Sequence, residues 1–365
     1  MDIEDYREFG IQECIGCGRC SYLCPVSHGK GDFSPRTVVE RIAAGEDPLD
    51  AGIWSCTNCG LCSQACDSGV LFHQFVRRLR VDLGEVLPPQ RTHGGIMGAI
   101  RGLNARSDLV PEKTNWVTDD LILGDDPLLF IGCLPYFHVL FRDFCPGLLD
   151  IPRSAVRLLN AMGLRPGVLP GERCCGHDAH WMGDEKTFRR LAEMNVRQME
   201  GADEVIALCP EGYSTLRDVY PRFVGDLDFR VRGLVEVVAE GLEEGRLELE
   251  RAGERIAFQD PCRLGRHGGI VEAPRRIMED LGEVVEMPRS GEMSACCGHS
   301  NWVNCDSYTR EWQLDRLREA RRAGADALVT ACPKCLIHLS CAQRGLEEGI
   351  IPVRDLFSLA ASRLR

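Results

Sequence analysis

The chain has 365 residues, 44% of them hydrophobic and 27% charged, with a formal net charge of −12. That is enough for two or three domains with their own cores, and the scattered basic residues form no arm for nucleic acid. No apolar run approaches the roughly 18 residues of a membrane span, and the acidic start MDIEDYREFG does not read as a secretion signal, so a cytoplasmic protein is expected, peripheral to a membrane only through a partner.

Twenty cysteines in a reducing compartment point to metal rather than to disulfides. Residues 1–85 hold eight of them in two tight runs. The first is Cys14, Cys17, Cys20 and Cys24 followed by Pro25; the second is Cys56, Cys59, Cys62 and Cys66, with Asp67 in place of proline. Both have the C-x2-C-x2-C-x3-C spacing of bacterial ferredoxins, in which three cysteines of a run embrace one [4Fe–4S] cubane and the fourth serves the other. That wiring predicts one cluster on Cys14, Cys17, Cys20 and Cys66 and a second on Cys56, Cys59, Cys62 and Cys24. Zinc, usually held by separated ligand pairs, does not suit two runs of four. Between the runs, SPRTVVERIAAG predicts a helix capped by Ser34 with Pro35 at its first position. A helical insertion there resembles the ferredoxin domains of respiratory and methanogenic iron–sulfur subunits.

Residues 86–125 (LPPQRTHGGIMG, then PEKTNW) read as a linker with short helical pieces. Residues 126–245 and 246–365 are two copies of one unit. Copy one runs through PLLFIG, Cys133, helical SAVRLLNAMG, CCGH at Cys174 to His177, amphipathic EKTFRRLAEMNVRQMEGA, apolar EVIAL and Cys209-Pro210. Copy two runs through RIAFQ, Cys262, APRRIMEDLG, CCGH at Cys296 to His299, YTREWQLDRLREARRAGA, ALVTA and Cys332-Pro333. From the second cysteine of CCGH to the Cys-Pro the step is 34 residues in one copy and 35 in the other. Short apolar runs alternating with helical patterns predict α/β units, and ligands gather beyond the carboxyl ends of strands in such sheets. The expected fold is therefore a helical ferredoxin-like domain followed by two pseudo-symmetric α/β cysteine-rich domains. Gly176 and Gly298 are expected to let the CCG turns bend close to a metal.

Copy two offers five ligands, Cys262, Cys296, Cys297, Cys332 and Cys335, more than one tetrahedral metal takes. Copy one offers four, Cys133, Cys174, Cys175 and Cys209, because Gly212 stands at the place of Cys335. Those four either hold some metal or belong to a structural copy of the site. Cys145, Cys305 and Cys341 fall outside both patterns and read as unreactive thiols. Trp181 and Trp302 read as core. No nucleotide-binding motif is present, so no flavin or nucleotide is expected in this chain.

The order Cys, Cys-Cys-Gly, Cys-x-x-Cys behind two ferredoxin runs, with DPCRLGRHGG around Cys262 and FIGCLPYF around Cys133, resembles the D subunit of heterodisulfide reductase, itself similar to a fusion of the C and B subunits of the soluble enzyme. The resemblance implies a non-cubane [4Fe–4S] cluster on Cys262, Cys296, Cys297, Cys332 and Cys335, which cleaves a small disulfide such as that of coenzyme M and coenzyme B in one-electron steps. It also implies a hetero-oligomeric complex in which a flavoprotein like the A subunit, or a membrane cytochrome b, supplies electrons. His299, His267 and Arg263 are the catalytic candidates, expected in a pocket between the copies, with His177 in the position matching His299. The alternative is an electron-transfer subunit without disulfide chemistry, as in glycolate, lactate or glycerol-3-phosphate oxidation or benzoyl-CoA reduction.

Overall fold

Each cysteine run is bent by glycines at the same two points. Gly10 and Gly52 adopt left-handed backbone before a short 3-10 turn that delivers Cys14 or Cys56; Gly18 and Gly60 do so again, with φ of 78° and 77°, before the helices Arg19–Leu23 and Leu61–Gln64. That conformation is costly for residues with a Cβ and not for glycine. The computed structural model describes residues 3–29, 31, 33–84, 92–299, 301–302 and 304–365, so positions 86–91 of the expected linker lie outside the described residues. The helix between the runs is Pro35–Ala43, and the Ser34 hydroxyl accepts from the Thr37 amide at 3.0 Å. Its apolar face (Val38, Val39, Ile42) packs with Ile53, Phe75, Val76 and Leu79, the last three from the helix Phe72–Asp82, in a separate helical core.

The two copies fold alike. In copy one, strands β1 (Leu128–Phe130), β2 (Glu204–Ala207) and β3 (Arg230–Gly233) form a parallel sheet in the order β1-β2-β3. In copy two, β4 (Arg255–Phe258), β5 (Glu283–Val284), β6 (Ala327–Thr330) and β7 (Val353–Asp355) form a parallel sheet in the order β5-β4-β6-β7. The edge strand β5 is matched in copy one by a single parallel bridge from Leu128 to Gly167. Strand β6 is buried throughout and β2 nearly so, as parallel strands under helices must be. β3 and β7 carry arginines and are half-exposed, which is why no apolar run announces them.

Helices from both copies share one core. Ile151, Ala155, Val156, Leu158 and Leu159 of the helix Asp150–Ala161 are fully buried among residues of Leu234–Glu243, Glu272–Leu281 and Leu356–Ala361. Each such large aliphatic side chain contributes about 1.5–3 kcal/mol by leaving water, so the copies are fixed against each other rather than hinged. The segment expected as a linker takes part: after the helix Ile96–Asn104 it buries Lys113, Trp116 and Leu121, and Lys113 meets Glu172 at 2.8 Å with both side chains 1% exposed. Glu172 also accepts from the amides of Ile131 and Gly132, at 2.9 and 2.8 Å, and thereby shapes the turn into Cys133.

Candidate metal centres

All twenty cysteines are free thiols. The ferredoxin runs surround two cavities. One, of about 240 Å³, is lined by Cys14, Cys17, Cys20, Cys62 and Cys66; Cys14 and Cys17 are exposed. The other, of about 20 Å³, is lined by Cys24, Cys56, Cys59 and Cys62 and lies deeper. The first cavity draws three thiols from the first run and two from the second, and the inner one three from the second run and Cys24 from the first. The donor chemistry fits iron–sulfur clusters: no disulfide consumes the thiols, and the Asn58 and Val70 amides donate to the sulfurs of Cys56 and Cys66 at 3.3 and 3.4 Å. Burial pushes the Cys24 thiol up to about 12 and Cys56 up to about 11, so only a bound cation would make them thiolates at neutral pH. The cross-wiring expected from the spacing has a direct consequence. Cys66→Ser is expected to alter the cluster signal that Cys14→Ser alters and to spare the one altered by Cys56→Ser, as read by electron paramagnetic resonance; the opposite pattern would mean each run closes on itself.

The carboxyl ends of β4 and β6 and the CCG turn bring Cys262, Cys296, Cys297, Cys332 and Cys335 to one cavity. Gly298, at φ 84°, makes the turn possible, and a Cβ there would lie 2.5 Å from Gln313 Nε2. The cavity is bounded by His177 and Glu211 from copy one and by Thr57 from the second ferredoxin run. Cys59 packs directly on Cys296, with Cys262 against them, so the five-thiol cavity and the inner ferredoxin cavity share a wall. Cys297, between the donor thiols of Cys296 and Cys335, is brought down to about 6.

Copy one departs from the expected grouping. Cys133 and Cys174 lie 3.5 Å apart with Cys175 beside them, but Cys209 packs instead with Cys297, Cys332 and Cys335 and contacts the Cys332 thiol. Both Cys-Pro turns lie at the carboxyl ends of middle strands, and the pseudo-two-fold relation brings those ends face to face. The Phe130 ring lies 3.6 Å from where a Cβ on Gly212 would be.

Behind the five thiols the copies meet through buried charges. Lys334 Nζ, in copy two, lies 2.7 and 2.9 Å from the Asp178 oxygens and 2.5 Å from Glu211 Oε2, both in copy one. Glu211 also faces the Nδ1 atoms of His177 and His299, at 3.4 and 3.5 Å. Burial pushes Glu211 up to about 8 against the pull of Lys334, while Asp178, also buried, is held well below the usual range by the same ammonium. The cysteine patterns do not single out any of these three charged residues, although Lys334 stands between Cys332 and Cys335. The signal for two of them, Glu211 and Lys334, was there: Cys209-Pro-Glu and Cys332-Pro-Lys put opposite charges at one repeat position.

The catalytic candidates separate. His299 lines the cavity and its Nε2 is buried with no partner among the described residues. Burial, then the charge of Lys334, hold it well below its ordinary value, so it is a neutral ring rather than a group poised near pH 7. Arg263 also lines the cavity but commits its donors inside the protein, to His177 Nε2 and the Asn58 carbonyl, both at 3.0 Å, and to His267 Nε2 at 2.9 Å. A free guanidinium for an anionic substrate is therefore not what the fold presents. His267 is turned away: the Cys262–His267 turn, closed by the His267 amide on the Cys262 carbonyl at 3.0 Å, sends it onto Gly60 and His73, with its Nε2 3.2 Å from the Cys59 carbonyl. It serves the contact with the ferredoxin loop. Trp302 stacks on Phe141 in the main core, and Trp181 lies under the Arg263 guanidinium.

Comparison with known proteins matches residues 10–70 to the 4Fe-4S dicluster domain and residues 128–217 and 256–340 to the cysteine-rich domain. The D subunit of the dihydromethanophenazine:CoB–CoM heterodisulfide reductase of Methanosarcina barkeri is 30% identical over 267 residues, 69% of this chain and 63% of that one. The EtfAB:quinone oxidoreductase of Syntrophomonas wolfei is 29% identical over 223 residues, 57% of this chain and 30% of that one. The matched stretches thus span less than two thirds of the length of these relatives. A solved structure of a hypothetical protein from Helicobacter pylori superposes with a TM-score of 0.61 at 12% identity, over 99% of this chain and 75% of that one, which speaks for the fold alone. No helix among the described residues is long and apolar enough to cross a membrane. The chain belongs with the iron–sulfur proteins that join a 4Fe-4S dicluster domain to two cysteine-rich domains, the family that includes the D subunit of heterodisulfide reductase.

Proposed function

We propose that the chain is the disulfide-reducing iron–sulfur subunit of a heterodisulfide reductase-type complex. The observation that carries this reading is the convergence of Cys262, Cys296, Cys297, Cys332 and Cys335 on one cavity whose wall is Cys59 of the second ferredoxin run. When bound, the two cubanes supply one-electron carriers, and the non-cubane cluster supplies a metal face for a substrate sulfur.

Exposed Cys14 and Cys17 mark the edge where a partner, a flavoprotein or a membrane cytochrome b, delivers electrons. The inner thiol cavity and its contact with Cys296 continue the path. Two electrons, one at a time, and two protons convert a small disulfide, that of coenzyme M and coenzyme B or a similar pair, into two thiols. Glu211, pushed up to about 8, holds a proton, and His299, a neutral ring whose Nδ1 faces Glu211 and whose unpartnered Nε2 is buried at the cavity, relays it to a leaving thiolate. The protein is placed in the cytoplasm, at a membrane only through its partner.

One observation favours the second reading, a pure electron-transfer role: Cys296, Cys297, Cys332 and Cys335 are 3–6% exposed. The deciding measurement is thiol release from a disulfide driven by a reduced viologen dye in anaerobically prepared protein. Turnover supports the first reading, and fully reduced clusters without thiol release support the second. In the same assay His299→Ala is expected to slow disulfide reduction by about 10²-fold or more, the usual range for loss of a positioned proton-transfer group, while cubane reduction by the dye keeps its rate. If both rates fall together, His299 is structural.

A further inference from the structure

Among the described residues Arg173, 5% exposed, donates only to the carbonyls of Asn104, Arg106 and Leu109, whereas three other buried cations meet a carboxylate: Lys113 meets Glu172, Lys334 meets Asp178 and Glu211, and Arg316 meets Glu319 at 3.0 Å. Two beside the second ferredoxin run do not. Arg80 is 0% exposed and donates only to neutral oxygens: the carbonyls of Ile53, Cys56 and Trp181 at 2.8–2.9 Å, and Asn58 Oδ1. Its Nε has no partner among the described residues, and its guanidinium carbon lies 4.8 Å from the Trp54 ring. Arg263, 4% exposed, donates to the Asn58 carbonyl and to imidazoles, with its guanidinium carbon 4.0 Å from the Trp181 ring. Both therefore grip Cys56-Thr57-Asn58, the loop that carries a ligand of the inner cavity. An arginine stays charged inside a protein, and a buried charge without a counter-charge is costly.

We infer that the missing counter-charge of Arg80 is the cluster of the second run, that Arg263, which also lines the five-thiol cavity, is shared between the two sites, and that both raise the reduction potential of the second-run cluster. A cluster with four thiolates is anionic and gains a further negative charge on reduction, so fixed cations in a low-dielectric surround favour the reduced form. Burial of Cys56 and Cys59 works the other way by keeping water from the reduced state. The two guanidiniums offset that and keep the inner site able to take an electron from the outer one. Among the described residues the outer run has no such pair. Arg19 and Arg36 beside it are 52% and 42% exposed and already paired, with Asp67 at 2.6 Å and Glu40 at 3.2 Å, so water screens them.

This inference rests on the ligation proposed for the two ferredoxin runs, and the test separates the two. Full-length protein is reconstituted anaerobically, its iron counted, and its clusters titrated against potential by electron paramagnetic resonance. In Arg80→Gln, and separately in Arg263→Gln, the signal lost in Cys56→Ser is expected to shift to lower midpoint potential, while the signal lost in Cys14→Ser keeps its midpoint. Arg80→Lys, which retains the charge, should restore the midpoint toward that of the wild type. Unchanged midpoints in both glutamine variants at full iron, equal shifts of both signals, or loss of the inner cluster from both variants would overturn the inference and leave the ligation standing. Wild-type protein lacking two ferredoxin-type signals would overturn the ligation itself.

Discussion

Cys335→Ser is expected to lower the iron content from about twelve to about eight per chain, the value for two cubanes alone. Disulfide reduction by dye-reduced protein should fall at least about 100-fold, because loss of partners outside the coordination shell alone typically costs 10–100-fold and this removes a ligand. The two ferredoxin-type signals should be untouched, since Cys335 packs with Cys297 and Cys332 rather than against either ferredoxin cavity. Cys305→Ser, at an exposed thiol outside both patterns, is the control and should change nothing. A Cys335→Ser protein that keeps about twelve irons and its full rate would remove this residue from the site and, with it, the feature that distinguishes copy two from copy one.

Lys334→Met should destabilise the protein by about 3–5 kcal/mol, the usual cost of breaking a buried ion pair from one side. The side chain is 5% exposed, and its loss leaves Asp178 and Glu211, 12% and 9% exposed, facing each other without a cation. The measurement is the urea midpoint at unchanged slope. Adding Asp178→Asn and Glu211→Gln to Lys334→Met should recover a large part of the loss, because groups in one network are not additive. A triple variant no more stable than Lys334→Met alone would mean that the penalty comes from lost packing. Because Lys334 belongs to copy two and the carboxylates to copy one, the single variant also loosens the seam beside the five thiols, and its disulfide turnover should fall with its stability.

The sequence by itself determined which residues could carry the chemistry. Cysteine spacing is a local property: runs at steps of three dictate a loop, and Cys-Cys-Gly and Cys-Pro dictate turns at strand ends, whatever the rest of the chain does. The repeat was legible because the buried strands β1, β2, β4 and β6 are short apolar runs; the half-exposed β3 and β7, and the two-residue β5, leave no such trace. Tertiary structure alone decided what lies across from what. Nothing local tells that Cys209 faces Cys332, that His267 turns to Gly60, or that Arg80 closes its hydrogen bonds on Cys56 and Trp181, more than a hundred positions apart in sequence from each other. Those contacts follow from packing two copies and a helical domain on shared apolar faces. The same packing sets the electrostatics, because it is burial that made His299 a neutral ring and left two arginines without carboxylates beside a loop of thiols.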